Sequence, residues 1–248
     1  MTSRRFDAVI CDIDGCLGPE STAPLEATRL AEVAAYNMLA KSRGDRPVVT
    51  VCSGRPLPYA EAICRLISND VLPCVCEMGV WMLDLAAHEY LMDPAIAPAQ
   101  LAGVRAAQAW IERELLPRGV LIQPGKSASI SLWHRDTDYL MSLKPSLVAR
   151  FAEEGWPLRV SSTVAWVNCD LAHVSKATGL ARFKARTGLV AERLAGIGDT
   201  TGDMAIREHV AFFACPANAQ PELKRHADYV SPFAEVAGVL DILERLRG

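Results

Sequence analysis

Apolar runs of strand length alternate with segments of helical periodicity at both ends of this chain. Residues 6–11, 47–52 and 72–76 are short apolar runs, whereas residues 24–41 and 59–69 carry apolar side chains at spacings of three and four. Because strands and helices alternate, the pattern predicts a parallel sheet joined by right-handed helical crossovers.

The pattern changes in the middle of the chain and returns near Ser175. Segments typical of a hairpin (81–91), a helix (98–116), two strands around a turn (120–123 and 127–134), a helix (145–154) and two further strands (158–161 and 165–168) follow one another. The α/β pattern then resumes with a helix at 176–187, a strand at 194–198 and a helix at 202–209. We therefore predict an α/β core built from residues 1–82 and 172–248, with an α+β cap domain inserted at 83–171.

Composition is that of an ordinary globular protein. The 248 residues are 50% hydrophobic and 22% charged, with a formal net charge of −3, so nothing favours a nucleic-acid partner, which usually requires a basic face. No apolar run approaches the roughly 20 residues of a membrane span, and the N-terminal run is too short for a signal peptide. We expect a cytoplasmic monomer or homodimer without membrane partners, whose eight cysteines are reduced, buried thiols.

Reactive groups stand directly after the predicted core strands or at the start of the helices that follow. They are Asp12, Asp14, Ser53, Gly54, Lys176, Asp199 and Asp203. Ligands of an open α/β sheet bind beyond the carboxyl ends of its strands, and neighbouring carboxylates repel unless a cation or a proton lies between them. The first acidic pair alone allows a metal site, a nucleophile with an acid/base partner, or both. The whole set suits phosphoryl transfer assisted by Mg²⁺.

Four motifs in fixed order carry a resemblance to a known family. They are Asp12-Ile13-Asp14-Gly15, Ser53-Gly54-Arg55, Ser175-Lys176 and Gly198-Asp199-Thr200-Thr201-Gly202-Asp203, with a secondary match at residues 217–219 and 227–230. The chain resembles haloacid dehalogenase (HAD) superfamily phosphatases of type II, with a C2-type cap, and within them the Cof and sucrose-phosphatase-like subfamily IIB. The resemblance implies a Rossmann-like core with an inserted cap and a Mg²⁺-dependent phosphatase. Its substrate would be a small phosphorylated metabolite, such as a sugar or sugar-acid phosphate, hydrolysed through an aspartyl phosphate.

The resemblance also implies a role for each motif residue. Asp12 would be the nucleophile and a metal ligand, and Asp14 the acid/base, whose backbone carbonyl also binds the metal. Asp199 would complete the metal site, with Asp203 supporting either the metal shell or Lys176. The phosphate would be bound by Ser53, Gly54 and Lys176.

Three positions depart from the family pattern. Gly202 stands where asparagine is usual, Cys16 where threonine is common, and Glu77-Met78-Gly79 where a glutamate-asparagine-glycine sequence is typical. No catalytic carboxylate is lost, so the departures leave the subfamily and the substrate open more than the reaction. A phosphomutase on the same core and a non-catalytic phosphate-ligand-binding protein are the alternatives.

The predicted cap offers three polar side chains on or beside its strands, Lys126, His134 and Arg135. They are candidates for selecting the substrate. A solvated hairpin face explains the same pattern.

Overall fold

The computed structural model describes residues 5–20 and 22–247. Its strands, in chain order, are β1 (Ala8–Cys11), β2 (Val48–Val51), β3 (Cys74–Cys76), β4 (Trp81–Asp84), β5 (Glu89–Met92), β6 (Leu121–Ile122), β7 (Ser129–Trp133), β8 (Leu158–Ser162), β9 (Val167–Leu171), β10 (Leu194–Ile197), β11 (Phe212–Cys215) and β12 (Tyr229–Val230). Its α-helices are α1 (Ala27–Arg43), α2 (Leu57–Leu66), α3 (Pro98–Glu114), α4 (Thr137–Ser142), α5 (Lys144–Glu153), α6 (Lys176–Thr187), α7 (Met204–Arg207), α8 (Pro221–Lys224) and α9 (Glu235–Arg245).

The core is a parallel sheet with strand order β12-β11-β10-β1-β2. Every residue of β1, β2 and β10 is buried, which is why apolar residues predominate in these strands. The polar Thr50 of β2 donates its hydroxyl hydrogen to the Pro73 carbonyl at 2.7 Å. Helices α1, α2 and α9 contribute buried side chains to one hydrophobic cluster, and α6, α7 and α8 contribute to another. The predicted α/β fold with a parallel central sheet is confirmed.

The chain divides into two compact units, one made of residues up to Leu91 and from Ser175 onward, the other of Met92–Val174. The second unit has an antiparallel sheet of order β6-β7-β9-β8 together with helices α3, α4 and α5. Its apolar core includes Ile130 and Leu132 of β7 and Phe151 of α5. None of the helices in the described residues has the length and apolar character needed to cross a bilayer.

The hairpin β4-β5 lies on the core side of this division up to Leu91, whereas the predicted cap begins at residue 83. Strand β4 pairs with β3, Cys74 opposite Leu83, so the hairpin joins β3 in a three-stranded sheet separate from the parallel one. Arg182 on α6 also donates hydrogen bonds to the carbonyl oxygens of Gly79 and Leu91 (2.9 and 2.8 Å). Residues 81–92 do contain the predicted antiparallel hairpin, but its strand β4 pairs with β3, a strand of the core unit.

The predicted helix 202–209 is shorter in the structure. Residues 201–203 form a 3₁₀ turn before α7. The Asp203 carboxylate accepts hydrogen bonds from the backbone N–H groups of Asp199 and Thr200. Because those contacts fold the loop around the Asp203 side chain, regular α-helix begins only after it.

Candidate active site

Residues that follow β1, β2 and β10 lie at one edge of the core sheet. The Asp12 N–H donates to the Ile197 carbonyl (3.0 Å), and the Cys52 N–H donates to the Cys11 carbonyl (2.9 Å). The parallel pairing therefore continues one residue beyond the strands. The loops that begin with Asp12, Ser53 and Asp199 leave the sheet at its carboxyl end, where open α/β folds bind ligands.

Three buried carboxylates meet at this edge. Asp12, Asp199 and Asp203 each offer a carboxylate oxygen within 4.8 Å of the others. One Asp203 oxygen accepts the N–H groups of Asp199 and Thr200, both at 3.0 Å, and the other accepts Lys176 Nζ at 2.6 Å. In contrast, Asp199 Oδ1 is buried with no hydrogen-bond partner among the described residues.

The buried ammonium group of Lys176 joins two of these carboxylates. Ser175 caps α6 by accepting the Thr178 N–H, so Lys176 is the first residue of the helix. Its Nζ lies 2.8 Å from Asp12 Oδ2 and 2.6 Å from Asp203 Oδ1, and the residue is only 4% exposed. A helix cap in the sequence thus fixes the position of the cation.

The charge of this cluster is unbalanced. Burial raises the pKa of Asp12 to about 7, against the opposing effect of Lys176, and burial together with Asp203 and Asp12 raises the pKa of Asp199 to about 9. Burial alone would lower the pKa of Lys176, but Asp12 and Asp203 outweigh it and hold that pKa well above its ordinary value. Three carboxylates and one ammonium leave an excess of negative charge that a cation would neutralise.

The residues present fit a magnesium ion. Mg²⁺ prefers hard oxygen ligands and commonly uses one or two carboxylates, and Asp199 Oδ1, which has no hydrogen-bond partner in the part of the chain that the structure describes, is such a donor. Both oxygens of Asp203 already accept hydrogen bonds from Lys176 and backbone amides. The Asp12 oxygens also accept hydrogen bonds, from the Ile13 N–H at 2.7 Å and from Lys176 Nζ at 2.8 Å. The contacts therefore favour Asp199 over Asp203 as a metal ligand and do not by themselves distinguish Asp12 from Asp203.

Gly15 is required by close packing in the first loop. Its φ is +72°, a left-handed conformation that favours glycine. A Cβ atom at this position would lie 1.9 Å from Asp199 Oδ2. The Asp-x-Asp-Gly sequence thus allows the first loop to approach the Asp199 carboxylate.

The Ser53-Gly54 loop is held by backbone hydrogen bonds with β3 and with the segment after it. The Ser53 N–H donates to Val75, while the Glu77 and Met78 N–H groups donate to Arg55 and Ser53. Ser53 is fully buried, and its Oγ accepts the Arg55 N–H at 3.2 Å. The Ser53 hydroxyl hydrogen remains able to donate to a ligand.

Arg55 forms an ion pair, as expected for an arginine at this position, and its partner is Asp14, which the sequence did not identify. Its Nε lies 2.9 and 2.7 Å from the two carboxylate oxygens, and its Nη2 lies 2.6 Å from Oδ1. The guanidinium also lies over the Tyr59 ring, 4.9 Å from its centroid. The available signal was the position of Arg55, two residues after Ser53, at the same sheet edge as Asp14.

The three residues predicted to select the substrate lie in the other compact unit and have different surroundings. Lys126 Nζ donates to Ser131 Oγ at 2.6 Å. His134 Nδ1 accepts the Asp136 N–H at 3.0 Å, and Arg135 is exposed. The core residues Asp12, Lys176, Asp199 and Asp203 are brought together in one cluster, whereas these three do not form one.

All eight cysteines are free and buried, as the sequence predicts.

Comparison with known proteins agrees with this geometry. Residues 162–243 match the family model described as haloacid dehalogenase-like hydrolase. Two archaeal proteins named phosphoglycolate phosphatase are similar over shorter stretches. The one from Methanothrix thermoacetophila is 36% identical over 74 residues, which are 30% of this chain and 33% of that protein. The one from Methanothermobacter thermautotrophicus is 30% identical over 104 residues, 42% of this chain and 47% of its own. The matched part spans less than half of either relative.

Solved structures share the fold over almost the whole chain. A protein of Thermoplasma acidophilum has a TM-score of 0.75 at 18% identity, covering 97% of this chain and 98% of its own. A haloacid dehalogenase-like hydrolase from Bacteroides thetaiotaomicron has a TM-score of 0.69 at 16% identity, covering 97% and 99%. Sucrose-phosphatase from Synechocystis sp. PCC6803, solved with sucrose and phosphate, has a TM-score of 0.64 at 17% identity, covering 98% of each chain.

The family match covers residues 162–243, about one third of the chain, and that part resembles haloacid dehalogenase-like hydrolases. Over almost its whole length the chain shares its fold with solved structures that include a HAD/Cof-like hydrolase from Plasmodium vivax and the Synechocystis sucrose-phosphatase.

Proposed function

We propose that this chain is a Mg²⁺-dependent phosphatase that hydrolyses a small phosphorylated metabolite. The observation that carries the proposal is the buried contact of Lys176 with Asp12 and Asp203, beside an Asp199 oxygen that has no hydrogen-bond partner within residues 5–20 and 22–247. Phosphoryl transfer depends mostly on positioning and on charge stabilisation. A carboxylate nucleophile, an ammonium and a cation site at one sheet edge supply both.

In the proposed reaction the Asp12 carboxylate attacks phosphorus and the bond to the ester oxygen breaks, which leaves an aspartyl phosphate. Asp14 gives a proton to the departing oxygen and later takes one from the water that attacks the aspartyl phosphate. Inorganic phosphate then leaves and the Asp12 carboxylate is restored. Asp14 therefore starts and ends this cycle protonated, and between the two steps Arg55 orients its carboxylate.

The remaining core residues bind the phosphoryl group. Ser53 Oγ and the Gly54 N–H would donate hydrogen bonds to its oxygens, and Lys176 would neutralise part of its charge. Bound by the Asp12 and Asp199 carboxylates and the Asp14 carbonyl oxygen, Mg²⁺ would supply positive charge that offsets the repulsion between those carboxylates and phosphate. Asp203 keeps Lys176 in place through its 2.6 Å contact.

The names of the similar proteins suggest the first substrates to test. Two relatives are named phosphoglycolate phosphatase, and one structural neighbour is a sucrose-phosphatase. We therefore propose a sugar or sugar-acid phosphate, or a similarly small phosphorylated acid such as phosphoglycolate. Lys126, His134 and Arg135 are proposed to influence this choice, so their truncation should alter the preference among metabolites more than hydrolysis of an aryl phosphate.

Hydrolysis assays with and without Mg²⁺ test the proposal. The protein should release inorganic phosphate from p-nitrophenyl phosphate and from at least one metabolite of this class, and chelation should stop it. Asp12→Asn should abolish turnover, whereas Asp70→Asn, which changes an exposed aspartate paired with Lys41, should not. Retention of near wild-type turnover by Asp12→Asn would contradict the nucleophile assignment. An isomerised sugar phosphate in place of free phosphate would indicate a phosphomutase.

A further inference from the structure

A loop after β11 contacts both loops that carry the proposed metal ligands. Asn218 Nδ2 donates to the Gly15 carbonyl at 2.9 Å. The Gln220 N–H donates to the Asp199 carbonyl at 2.7 Å, and Gln220 Oε1 accepts the Thr201 N–H at 2.9 Å. The reaction as proposed above uses neither Asn218 nor Gln220.

The other end of the Asn218 amide is tied to helix α9. Asn218 Oδ1 accepts the Glu235 N–H at 2.7 Å, and the neighbouring Ala217 N–H donates to Phe233 at 2.7 Å. Glu235 has a φ of +49°, a conformation that non-glycine residues keep only where surrounding contacts hold it. Helix α9 is in turn anchored by buried Val236 and Val239, so Asn218 links Gly15 to a fixed part of the core.

The two ligand loops meet with almost no free space. The Gly15 backbone lies so close to Asp199 that a Cβ atom would be 1.9 Å from its Oδ2. A shift of either loop therefore changes the separation of the Asp12 and Asp199 oxygens. Mg²⁺ tolerates such changes poorly because it demands near-octahedral geometry with ligands at about 2.0–2.1 Å.

We propose that Asn218 and Gln220 are positioning residues for the metal site, which hold the Gly15 and Asp199 loops at the separation that Mg²⁺ requires. Asn218 fixes the first loop from the side of α9, and Gln220 fixes the second through its backbone and its side chain. The inference rests on the proposed function, since it takes the metal site at Asp12 and Asp199 as given. It extends that proposal to two residues that touch neither metal nor substrate.

Truncation of Asn218 and truncation of Gln220 remove different numbers of hydrogen bonds. Asn218→Ala loses both side-chain hydrogen bonds and should weaken Mg²⁺ binding roughly tenfold, the lower end of the range for partners that orient metal ligands. Gln220→Ala keeps its backbone bond to Asp199 and should weaken binding about threefold, the effect of losing one ordinary hydrogen bond. Neither change should alter KM for substrate once Mg²⁺ is saturating, because neither residue contacts the phosphate.

Isothermal titration of the substrate-free protein with Mg²⁺ measures this directly. The matched control is Gln108→Ala, which removes an exposed amide bonded to Glu112 at 2.8 Å on α3 and should leave the Mg²⁺ dissociation constant unchanged. A purely structural role would instead lower the metal-free melting temperature and leave Mg²⁺ affinity intact. We expect Asn218→Ala to melt within about 4 °C of the unaltered protein without metal.

The outcomes separate this inference from the proposed function. If the unaltered protein and both variants bind Mg²⁺ equally, the inference is overturned while the metal site stands. If the unaltered protein binds no Mg²⁺, the proposed metal site fails and the inference fails with it. Should Asn218→Ala not fold, Gln220→Ala decides, because it removes one contact only. Unchanged Mg²⁺ affinity in that variant would overturn the inference.

Discussion

Replacing Lys176 by methionine should reveal how strongly the buried cluster depends on its one ammonium group. The side chain is 4% exposed and contacts Asp12 at 2.8 Å and Asp203 at 2.6 Å. Methionine has a similar length but no charge. The variant therefore keeps most of the packing and leaves the two carboxylates without their shared cation.

The expected loss follows from the cost of breaking a buried ion pair, about 3–5 kcal/mol of unfolding free energy. That is a large part of the roughly 5–15 kcal/mol that stabilises a typical protein. The loss should depend on pH. Aspartates titrate near 3.9 in the unfolded chain, whereas burial already raises the Asp12 pKa to about 7 in the folded protein, and removing Lys176 raises it further.

A carboxyl group whose pKa is raised on folding destabilises the folded protein progressively as pH increases above the unfolded value. The penalty of Lys176→Met should therefore be largest at about pH 8 and roughly half as large at about pH 5, where Asp12 is protonated in both proteins. Urea unfolding without Mg²⁺, followed by circular dichroism, measures the difference at each pH.

Lys184→Met is the matched control, since it lies in the last turn of the same helix and outside the cluster. Lys184→Met should change the free energy of unfolding by no more than about 1 kcal/mol, the usual size of an interaction between a charged side chain and the helix dipole. A loss below about 1 kcal/mol for Lys176→Met, or an equal loss at both pH values, would refute the view that Lys176 neutralises buried carboxylates.

Three further predictions concern the same sheet edge. Arg55→Ala should lower kcat for p-nitrophenyl phosphate at least tenfold with little change in KM. Arg55→Lys should recover part of the lost kcat, because lysine replaces the bidentate contact with Asp14 by a single one. Equal kcat in all three proteins would contradict the positioning of Asp14 by Arg55. Gly15→Ala should weaken Mg²⁺ binding at least tenfold, as measured by titration calorimetry. The alanine adds about 1–2 kcal/mol of strain in the left-handed backbone conformation, and its Cβ atom collides with Asp199. Unchanged Mg²⁺ affinity would contradict the close contact of Gly15 with Asp199. Mg²⁺ affinity should rise between about pH 6 and pH 9, because Asp12 and Asp199, with pKa values of about 7 and about 9, must lose their protons when the metal binds. Calorimetry in two buffers of different ionisation enthalpy measures the protons released. A pH-independent Mg²⁺ affinity would contradict this prediction.

Much of the core could be predicted because its strands and helices produce patterns within short stretches of the sequence. Strands β1, β2 and β10 are buried on both faces, so each is a predominantly apolar run, with Thr50 of β2 as a buried polar exception. Reactive residues directly after such strands must share the carboxyl edge of a parallel sheet. That rule is sufficient to predict the meeting of Asp12 and Asp199 without knowledge of any side-chain contact.

The contacts that were missed are long-range pairings. Arg55 and Asp14 are separated by 41 positions, and Asn218 and Gly15 by 203, so neither pair leaves a periodic or short-range pattern. The hairpin β4-β5 illustrates the same limit. The sequence of residues 81–91 predicts a hairpin but does not specify that its partner is the core strand β3.

Acid quenching of a single turnover, followed by mass spectrometry of the peptide that contains Asp12, tests the proposed mechanism most directly. With Mg²⁺ and an excess of protein over substrate, the peptide should gain one phosphoryl group that appears before free phosphate and disappears as phosphate is released. Asp12→Asn should yield no modified peptide and no phosphate. Release of phosphate at the normal rate without any phosphorylated Asp12 peptide would contradict the proposed nucleophile.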